Sequence, residues 1–398
     1  MQNRRFMYDF DTIQDRRSFN ACKFAGVSEN VIPLSIADMD FAVPPEITEA
    51  LHRRVDGANY GYTLMGDEDY QAVIDWTFKR HGVRIPREHL IATPGVLNTM
   101  RCSMYALTQP GDKVLVVLPL HTPSIRSAAM MGRVKCETRL VEDDRGFYTF
   151  DFADMERHFR EGVRVLMLCA PHNPTGRVWR KEELEKLAEL VKKYNVYVVS
   201  DEIHRDLVFR GHRHTVLGTL PGMEERTITV FSASKTFNLG GCHIGSAVIA
   251  DPDLRRKVKS CLYEFGHECG RPPLFSLAAQ TAAYRYGEAY LEELLVYLQK
   301  NVDLTLEYLG GLPVKVRAPE ASFLVWVDCR QLGLDTAGLA ALFAEAGITA
   351  DPGHYYDMYE IENYNGPQHH FRLAIAMPGP RLETALAALR KALLKVHL

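Results

Sequence analysis

The sequence lacks closely spaced cysteine pairs, long apolar runs and low-complexity segments. Its eight cysteines are scattered over 398 residues with no C-x-x-C pair, which argues against a zinc or redox motif and against a disulfide framework. No segment approaches the roughly 20 apolar residues that cross a bilayer, and the first residues do not form the apolar core of a signal peptide. We therefore expect a folded cytoplasmic protein with reduced thiols, no metal site and no membrane partner.

An excess of positive charge is also absent. The formal net charge is -3 at pH 7, and the sequence pI is about 6.6. Without a broad basic field, the chain is not expected to bind nucleic acid or an anionic membrane, and a small-molecule substrate fits better. Because single cores stop growing at roughly 250 to 300 residues, a chain of 398 residues predicts two domains.

Between residues 89 and 250, short apolar segments alternate with longer amphipathic ones. The short segments are rich in β-branched residues and are flanked by turn residues or charges, as in strands buried on both faces. Between two of them, the segment 181–194 places its leucines on one helical face. This alternation predicts a mainly parallel α/β sheet. The predicted strands are 89–92, 114–118, 163–168, 196–199 and 227–231.

After about residue 285 the pattern changes to long helical segments with a few short strands. A long helix is predicted through Leu294, Leu298 and Val302. Strands are predicted at 314–316, 323–327 and 371–376, and helices near 339–346 and 382–394. Helices packed on a small sheet follow, so we expect a large domain at residues 49–285 and a smaller α+β domain formed by residues 1–48 together with 286–398.

Candidate functional residues follow the predicted strands, one group after each strand. In open α/β sheets, ligands bind outside the C-terminal ends of the strands. Because parallel strands end at the same edge of the sheet, these residues are expected to meet in one pocket. In chain order they are Gly95, His121, Asn173, Asp201 and the segment Ser232-Ala233-Ser234-Lys235.

Lys235 follows the apolar pair Val230-Phe231. Burial there is expected to lower the pKa of the amine, which favours formation of an imine. The hydroxyls of Ser232 and Ser234 suit a phosphate group. Pyridoxal phosphate requires a lysine, a carboxylate that keeps its ring nitrogen protonated, and donors around its phosphate, and the sequence contains all three.

A Ser-x-x-Lys motif such as Ser232 to Lys235 also occurs in serine hydrolases, where the lysine acts as a base. In that class the motif is accompanied by Ser-Asp-Asn and Lys-Thr-Gly. This chain has Ser200-Asp201-Glu202 and Lys235-Thr236-Phe237 instead, so the cofactor interpretation is favoured.

Asp201 ends a predicted strand, where the ordinary role of an aspartate is a helix N-cap. A carboxylate about 4 Å from a pyridinium nitrogen stabilises that charge by roughly 4 kcal/mol at an effective dielectric constant near 20, which corresponds to about three pKa units. Asn173 lies in a tight-turn motif, and its amide is a candidate donor to the cofactor's phenolic oxygen. Gly95 and Val96 open a predicted helix, whose first N–H groups form an anion site.

Arg372 lies within a predicted strand of the second domain. A structural ion pair is the ordinary role for such an arginine, but the planar guanidinium also matches the α-carboxylate of an amino acid, and we expect carboxylate binding. Four histidines are interpreted as structural because no neighbouring cysteine or carboxylate completes a metal set. They are His212, His214, His369 and His370.

These segments resemble the MalY/PatB group of fold type I pyridoxal-phosphate enzymes, the cystathionine β-lyase-like carbon–sulfur lyases of the aminotransferase superfamily. The resemblance covers nearly the whole chain and implies a large domain with a mainly parallel sheet plus a smaller α+β domain. The matching segments are Ile36-Ala37-Asp38-Met39-Asp40-Phe41, Gly61-Tyr62-Thr63, Thr93-Pro94-Gly95-Val96, the segment from Pro171 to Trp179, Ser200-Asp201-Glu202-Ile203-His204 and Ser234-Lys235-Thr236-Phe237-Asn238.

The resemblance implies pyridoxal 5'-phosphate as the cofactor, with Lys235 as the Schiff-base lysine. It implies Asp201 at the ring nitrogen and Asn173 at the phenolic oxygen. Tyr62 would reach the phosphate of a neighbouring subunit, which implies a homodimer with shared active sites. The residues implied at the phosphate are Gly95, Val96, Ser232 and Ser234.

The resemblance also implies further contacts. His204 belongs with the cofactor-binding residues, and Asp38, Asn173 and Arg372 belong with those that bind the substrate. His121 stands where the family stacks a tyrosine on the cofactor ring. An imidazole can also stack, but it titrates near neutral pH and is a candidate acid or base.

Several other positions depart from the family's pattern. Ser35 replaces a tryptophan, Ala170 and Ala374 each replace an asparagine, and His243 stands where aminotransferases place a phosphate-binding arginine. The segment 353–367 is longer than the family's loop and contains four tyrosines. Because loops over a pocket set substrate choice, these departures bear on the substrate more than on the cofactor. The four tyrosines are Tyr355, Tyr356, Tyr359 and Tyr364.

The activity that the resemblance implies is β-elimination from a cysteine-type amino acid, giving pyruvate, ammonia and a thiol. Lys235 would remove the Cα proton as general base, and Lys235, His121 and Tyr62 are candidates for the acid that protonates the leaving group. Three alternatives stay open. They are an aminotransferase, a biosynthetic enzyme that decarboxylates or oxidatively deaminates an amino acid, and a cofactor-binding protein that regulates through protein contact.

Overall fold

Helices and strands alternate through most of the computed structural model, which describes residues 6–265, 270–356 and 370–396. In this part of the chain no helix is both long enough and apolar enough to cross a membrane. The helices are α1 (Pro45–Asp56), α2 (Asp67–His81), α3 (Val96–Leu107), α4 (Thr122–Met130), α5 (Phe152–Arg160), α6 (Lys181–Lys193), α7 (Pro252–Phe265), α8 (Leu274–Tyr286), α9 (Glu288–Leu309), α10 (Thr336–Ala346) and α11 (Gly379–Val396). The strands are β1 (Ile32–Pro33), β2 (Leu90–Thr93), β3 (Lys113–Leu118), β4 (Val134–Arg139), β5 (Val141–Glu142), β6 (Tyr148–Thr149), β7 (Val163–Cys169), β8 (Tyr197–Asp201), β9 (Thr227–Phe231), β10 (Gly245–Val248), β11 (Lys315–Val316), β12 (Leu324–Asp328), β13 (Ile348–Thr349), β14 (Asp351–Pro352) and β15 (His370–Ala374).

A seven-stranded sheet carries the strands predicted between residues 89 and 250. Its order is β2-β10-β9-β8-β7-β3-β4, and only β10 runs antiparallel to its neighbours. The prediction of a mainly parallel α/β sheet is confirmed. Sequence analysis missed β4, an edge strand with several half-buried residues, and β10, whose Gly-Ser-Ala-Val sequence carries too few branched residues to stand out.

Helices cover both faces of this sheet, which explains why its strands are apolar without interruption. In β7, Val165 and Met167 face the core that underlies α3 and α7. The alternate residues Leu166 and Leu168 face the core that α5 and α6 cover. The helix predicted at 181–194 is confirmed as α6, and it buries Leu187 in the same core.

The carboxyl ends of the central strands lie level with one another. In the parallel register, Cys169 of β7 pairs with Asp201 of β8, and Asp201 pairs with Val230 of β9. The loops that follow these three strands therefore leave the sheet side by side. They carry Asn173, the residues after Asp201, and Lys235 to the same edge.

A second sheet has four antiparallel strands in the order β11-β12-β15-β14. Its register places Arg372 of β15 between Trp326 of β12 and Asp351 of β14. The N-terminal segment joins the later part of the chain because β1 pairs in parallel with β13. The domain boundaries near residues 48 and 285 stay predictions.

The turn after β7 is anchored to the segment that leads into β12. Gly176 has a φ of +70°, and a Cβ added to it would lie 2.5 Å from the Cβ of Pro319. Its carbonyl oxygen accepts hydrogen bonds from the N–H groups of Glu320 and Ala321, at 2.9 and 3.0 Å. The guanidinium of Arg177 pairs with Glu320 at 2.5 Å, and the side chain of Arg177 is almost fully buried. These contacts hold the turn that carries Asn173.

Replacing Gly176 with alanine is therefore expected to destabilise the fold through two separate effects. A non-glycine residue at this φ costs about 1–2 kcal/mol, and displacing Pro319 adds roughly 1–3 kcal/mol. Gly82 has nearly the same φ, +71°, with no atom within 4 Å of an added Cβ, so Gly82→Ala measures the backbone effect alone. Denaturant unfolding of both variants tests this. An equal loss of unfolding free energy in both variants would contradict close packing at Gly176.

Candidate active site

A cavity of about 410 Å³ opens at the carboxyl ends of the central strands. It collects residues that are far apart in the sequence and that sequence analysis selected independently, one strand end at a time. Of the predicted site residues, those that line the cavity are Gly95, Val96, His121, Asn173, Asp201, His204, Ser234 and Lys235.

Lys235 lies in the loop that follows β9, and it lines this cavity. Its Nζ donates a hydrogen bond to the carbonyl oxygen of Ala37, at 2.6 Å. Burial lowers the pKa of the amine to about 8, and the guanidinium of Arg372 adds to this shift. The carboxylates of Asp38 and Asp201 act in the opposite direction. Near neutral pH a substantial fraction of the amine is therefore neutral and nucleophilic.

Asp201 is the last residue of β8, and only 8% of it is exposed. Burial raises the pKa of its carboxyl to about 6, although the N–H of Ile203 and the charge of Lys235 oppose the shift. The hydrogen bond from the Ile203 N–H to Oδ1 measures 3.1 Å. A cationic group bound in the cavity would stabilise this carboxylate, because its positive charge would replace the stabilisation by water that burial removes.

The amino end of α3 forms another wall of the cavity. Gly95 precedes it with a φ of +106°, a conformation that favours glycine. The first N–H groups of a helix have no intrahelical acceptor, so this end of the cavity suits an anion. Ser234 also lines the cavity.

Ser232 stands behind this wall and does not line the cavity. Its hydroxyl donates to the carbonyl oxygen of Ile244 at 2.6 Å and accepts from the N–H of Ser234 at 3.0 Å. The side chain thus shapes the loop that leads to Lys235. Its predicted contact with a phosphate stays a prediction.

Asn173 and Arg372 meet beside the cavity, although 199 positions separate them. The Nη1 of Arg372 donates to the Oδ1 of Asn173 at 3.0 Å. The Nη2 of Arg372 pairs with the carboxylate of Asp351, and the guanidinium lies 5.0 Å from the centroid of the Tyr356 ring. Sequence analysis weighed an ion pair for Arg372 but did not name Asp351, because the pairing arises only when β14 and β15 lie side by side.

A second, smaller cavity of about 290 Å³ lies on the outer side of Arg372. Asp351, Tyr355 and Arg126 line it, and His121 lines both cavities. The two cavities are therefore neighbours, with His121 between them. The tyrosines predicted at 359 and 364 lie outside the described residues.

Three histidines line the inner cavity, and they are His121, His204 and His243. Burial lowers the pKa of His121 to about 3, and the cations of Arg372 and Lys235 add to the shift. Burial and the same two cations lower the pKa of His204 well below its usual value, and its Nδ1 lies 3.2 Å from the Oγ of Ser322. The expectation that His121 titrates near neutral pH is therefore wrong, because it did not account for the burial of the imidazole or for the two cations nearby.

Asp38 lines neither cavity. Its Oδ2 is 2.5 Å from the Nη2 of Arg16, and its Oδ1 is 3.6 Å from the Nζ of Lys23. Its neighbour Ala37 reaches the site instead, through the carbonyl oxygen that accepts from Lys235. The predicted contact between Asp38 and a substrate stays a prediction.

Tyr62 lies away from the cavity of its own chain and is 86% exposed. Its ring centroid is 5.9 Å from the guanidinium of Arg271. Such an exposed aromatic side chain is free to contact another molecule. Its predicted role in a neighbouring subunit stays a prediction.

The reason given for interpreting His370 as structural needs a correction. His370 was interpreted as structural because no carboxylate adjoins it in sequence, but in the structure a ligand atom of His370 lies within 4.8 Å of carboxylate oxygens of Glu142 and Asp328. The Nη2 of Arg330 pairs with these two carboxylates at 2.8 and 2.7 Å. A cation is therefore already present at this cluster. His369 lies outside the described residues.

At the carboxyl ends of the mainly parallel sheet, one cavity is lined by a buried amine, a buried carboxylate and a helix amino terminus. These features define a cofactor-dependent enzyme of the α/β class. The family model for aminotransferases of class I and II matches residues 29–389. The chain belongs to this family.

Individual relatives narrow the comparison. The chain is 36% identical over 358 residues to the cystathionine beta-lyase PatB of Bacillus subtilis, covering 87% of this chain and 92% of the relative. Cystalysin from Treponema denticola, whose structure contains pyridoxal 5'-phosphate, superposes with a TM-score of 0.91 at 30% identity over 98% of this chain and 100% of that one. The pyridoxal-phosphate-bound C–S lyase of Staphylococcus hominis gives a TM-score of 0.88 at 29% identity, over 97% and 98% of the two chains.

The raised pKa of Asp201 predicts an unusual pH dependence of stability in the protein without bound ligand. A carboxyl whose pKa is raised on folding holds its proton more tightly in the folded state, so stability falls as pH rises from about 4 through about 6. Asp201→Asn should therefore increase the free energy of unfolding at pH 8 by up to ~3 kcal/mol, and the gain should vanish towards pH 4. Urea unfolding across this pH range measures it.

Asp206 provides the matched control, because it is equally buried but paired. Burial alone would raise the pKa of Asp206, but the hydrogen bond and charge of His81 reverse the effect and lower it. Its contribution to stability is therefore present above the unfolded pKa and is lost at lower pH, so Asp206→Asn should destabilise the protein at pH 8. A loss of stability in Asp201→Asn at pH 8 would refute the assignment of an uncompensated carboxylate.

Proposed function

We propose that the protein is a cytoplasmic, homodimeric, pyridoxal-phosphate-dependent carbon–sulfur β-lyase acting on cystathionine or another cysteine S-conjugate. The observation that carries the proposal is that the buried carboxyl of Asp201, whose pKa is raised, and the amine of Lys235, whose pKa is lowered, line one cavity. The names of the relatives support the lyase activity over others of the same family.

The described residues fit the cofactor at three places. Lys235 would attach its aldehyde group, and Asp201 would face its ring nitrogen and stabilise the proton there. The amino end of α3, beginning after Gly95, would hold the phosphate together with Ser234. Asn173 would contact the phenolic oxygen, and the neutral rings of His121 and His204 would lie against the cofactor without adding charge.

Pyridoxal phosphate supplies an electron sink, because its protonated ring takes up the electron pair released when the substrate's α-carbon loses a proton. Lys235 would move this proton after the substrate's amine replaces it at the cofactor's aldehyde carbon. The amine of Lys235 is then free, and its lowered pKa of about 8 leaves it partly neutral near pH 7, so Nζ can accept the proton. The carbonyl oxygen of Ala37 orients the same nitrogen, at 2.6 Å. Asp201 keeps the ring nitrogen protonated throughout.

Elimination then breaks the bond between the β-carbon and sulfur, and the electron pair of that bond leaves with the thiolate. The thiolate requires a proton, and Lys235 carries one after accepting it from the α-carbon. His121 is an unsuitable acid because its pKa is lowered to about 3. Addition of one water completes the balance and yields pyruvate, ammonia and the thiol.

Arg372 would bind the substrate's α-carboxylate, which makes Asp351 its competitor. The guanidinium offers a planar set of donors that matches a carboxylate, but the carboxylate of Asp351 already pairs with Nη2. Substrate binding would therefore exchange one carboxylate for another at this arginine. The outer cavity, which Asp351 and Arg372 line, provides room for the exchange.

A second copy of the chain would complete the site. Tyr62 is 86% exposed and lines neither cavity of its own chain, which fits a role at the phosphate of a neighbouring subunit. We propose residues 49–285 as the large, cofactor-binding domain. Residues 1–48 and 286–398 would form the smaller one, which contributes Arg372.

Lys235→Ala should abolish turnover, with a loss of at least ~1,000-fold, and should remove the visible absorbance of the bound cofactor. The reason is that Lys235 is the only lysine among the described residues that line the cavity, and its amine would both attach the cofactor and move the α-proton. Lys257→Ala is the matched control, because Lys257 is exposed on α7, and it should keep both properties. Pyruvate release and the absorption spectrum are the measurements, and persistence of both in Lys235→Ala would refute the assignment.

The reaction outcome is tested with S-ethyl-L-cysteine and cystathionine in the absence of any added oxo acid. Stoichiometric pyruvate and thiol support the lyase. Strict dependence of turnover on an added 2-oxo acid, with its conversion to an amino acid, would establish an aminotransferase instead. Both outcomes leave the cofactor contacts unchanged, so this experiment is independent of the Lys235 variant.

Asp351→Asn should lower KM for amino-acid substrates by about tenfold, because a charge-assisted hydrogen bond that competes with the substrate is worth roughly 1.5–3 kcal/mol. The effect on kcat should stay within about threefold, because Asp351 takes no part in the proton transfers proposed here. Asp351→Glu retains the competing charge and should keep KM high. A rise in KM for Asp351→Asn would show that the carboxylate orients Arg372 rather than competing for it.

A further inference from the structure

A separate cavity of about 390 Å³ lies on the other side of the seven-stranded sheet from α3 and α7. Ile228 and Val230 of β9 face the core beneath those helices. Because successive residues of a strand point to opposite faces, Thr227 and Thr229 point the other way, and both line this cavity. Among the described residues none lines both this cavity and the catalytic one.

Arg205 provides a buried positive charge in this cavity, which the exposed Arg84 also lines. It is only 3% exposed, and its guanidinium carbon lies 3.4 Å from the centroid of the Phe231 ring. Its Nη2 donates to the Oγ1 of Thr77 at 2.8 Å. Its Nε has no hydrogen-bond partner within the described part of the chain, and the Oγ1 of Thr227 is also buried without one.

The acids closest to Arg205 in sequence are bound to other groups. The Oδ1 of Asp206 lies 2.8 Å from the Nε2 of His81. The Oδ2 of Asp206 accepts from the Nε1 of Trp76 and the Oγ1 of Thr236, both at 3.2 Å.

Glu202 accepts from Ser200 at 3.1 Å, and its other oxygen lies 2.8 Å from the Nε2 of His214. Across the described ranges, no carboxylate lies within ion-pair distance of Arg205. Buried charges are ordinarily paired because an unpaired one is costly to hold away from water.

The rest of the lining indicates the kind of ligand. Val83, Ile85, Val216 and Val248 contribute apolar surface. A carboxylate pairs well with a guanidinium, and an apolar body would fill the remaining volume by burying its own surface. Arg84, His89 and Glu224 also line the cavity. A phosphate ester would place about two negative charges near the carboxylate of Glu224 and the apolar side chains, so it fits less well than a single carboxylate.

We propose that this cavity binds a small monocarboxylic acid with an apolar body, and that Arg205 is the group that holds its carboxylate. The carboxylate would lie at the unpartnered side of the guanidinium and accept from the hydroxyl of Thr227. The body would lie against the valines and the isoleucine. The site is separate from the catalytic cavity and does not depend on the reaction assigned there.

Benzoate is the probe, and titration calorimetry with the holoenzyme is the measurement. The wild type should bind benzoate, and it should bind the neutral benzyl alcohol at least about tenfold more weakly, because the alcohol cannot form the charge-assisted hydrogen bond. Arg205→Met should weaken benzoate binding by a similar factor. Arg372→Met should leave it unchanged, which separates this site from the substrate site.

Gly218→Ala keeps the charge of Arg205 and tests the cavity itself, should Arg205→Met fold poorly. An added methyl group at Gly218 would lie 3.2 Å from the Oγ1 of Thr229 and 3.6 Å from the Cβ of Thr227, on the cavity wall. Benzoate should bind this variant more weakly than the wild type. The proposal would be overturned if the wild type did not bind benzoate, or if Arg205→Met and Gly218→Ala both bound it as tightly as the wild type does.

Discussion

A negative charge held away from water is the constraint on which the site depends. Asp201 ends the central strand β8, and burial raises the pKa of its carboxyl to about 6. Such a group is unfavourable unless a positive charge compensates it, and the amine of Lys235 supplies part of that compensation. A protonated heterocycle bound beside Asp201 would supply the rest. Binding of such a ring would therefore offset the free-energy cost of the buried carboxylate.

Arg372, which lies in the four-stranded sheet, affects the protonation state of several buried groups of the site. Its positive charge adds to the effect of burial, and together they lower the pKa values of Lys235, His121 and His204. The two imidazoles are thereby neutral, whereas the amine remains able to gain and lose a proton near neutral pH. Asp351 pairs with the guanidinium, so exchange of that carboxylate for a substrate would leave the local charge balance unchanged. One arginine would thus contribute to substrate binding and to acid–base chemistry together.

These electrostatic effects require the turn after β7 and the segment before β12 to keep their relative positions. The close approach of Gly176 to Pro319 and the buried pair of Arg177 with Glu320 hold the turn after β7 against the segment before β12. The turn carries Asn173, which in turn contacts Arg372. Arg205, on the other face of the sheet, is also a buried charge, and its Nε has no hydrogen-bond partner among the described residues.

Much of the architecture follows from local sequence patterns. Strand periodicity and turn chemistry predicted five of the seven strands of the large sheet and the residues that follow them, because these signals act over a few residues. The weakly patterned edge strand β4 and the small-residue strand β10 were missed for the same reason. By itself the sequence determined which chemical groups stand at the strand ends. Only the tertiary structure decided their partners and charges, because the contacts of Lys235 with Ala37 and of Arg372 with Asn173 join residues 198 and 199 positions apart, and a pKa depends on burial and on charges that no local pattern records.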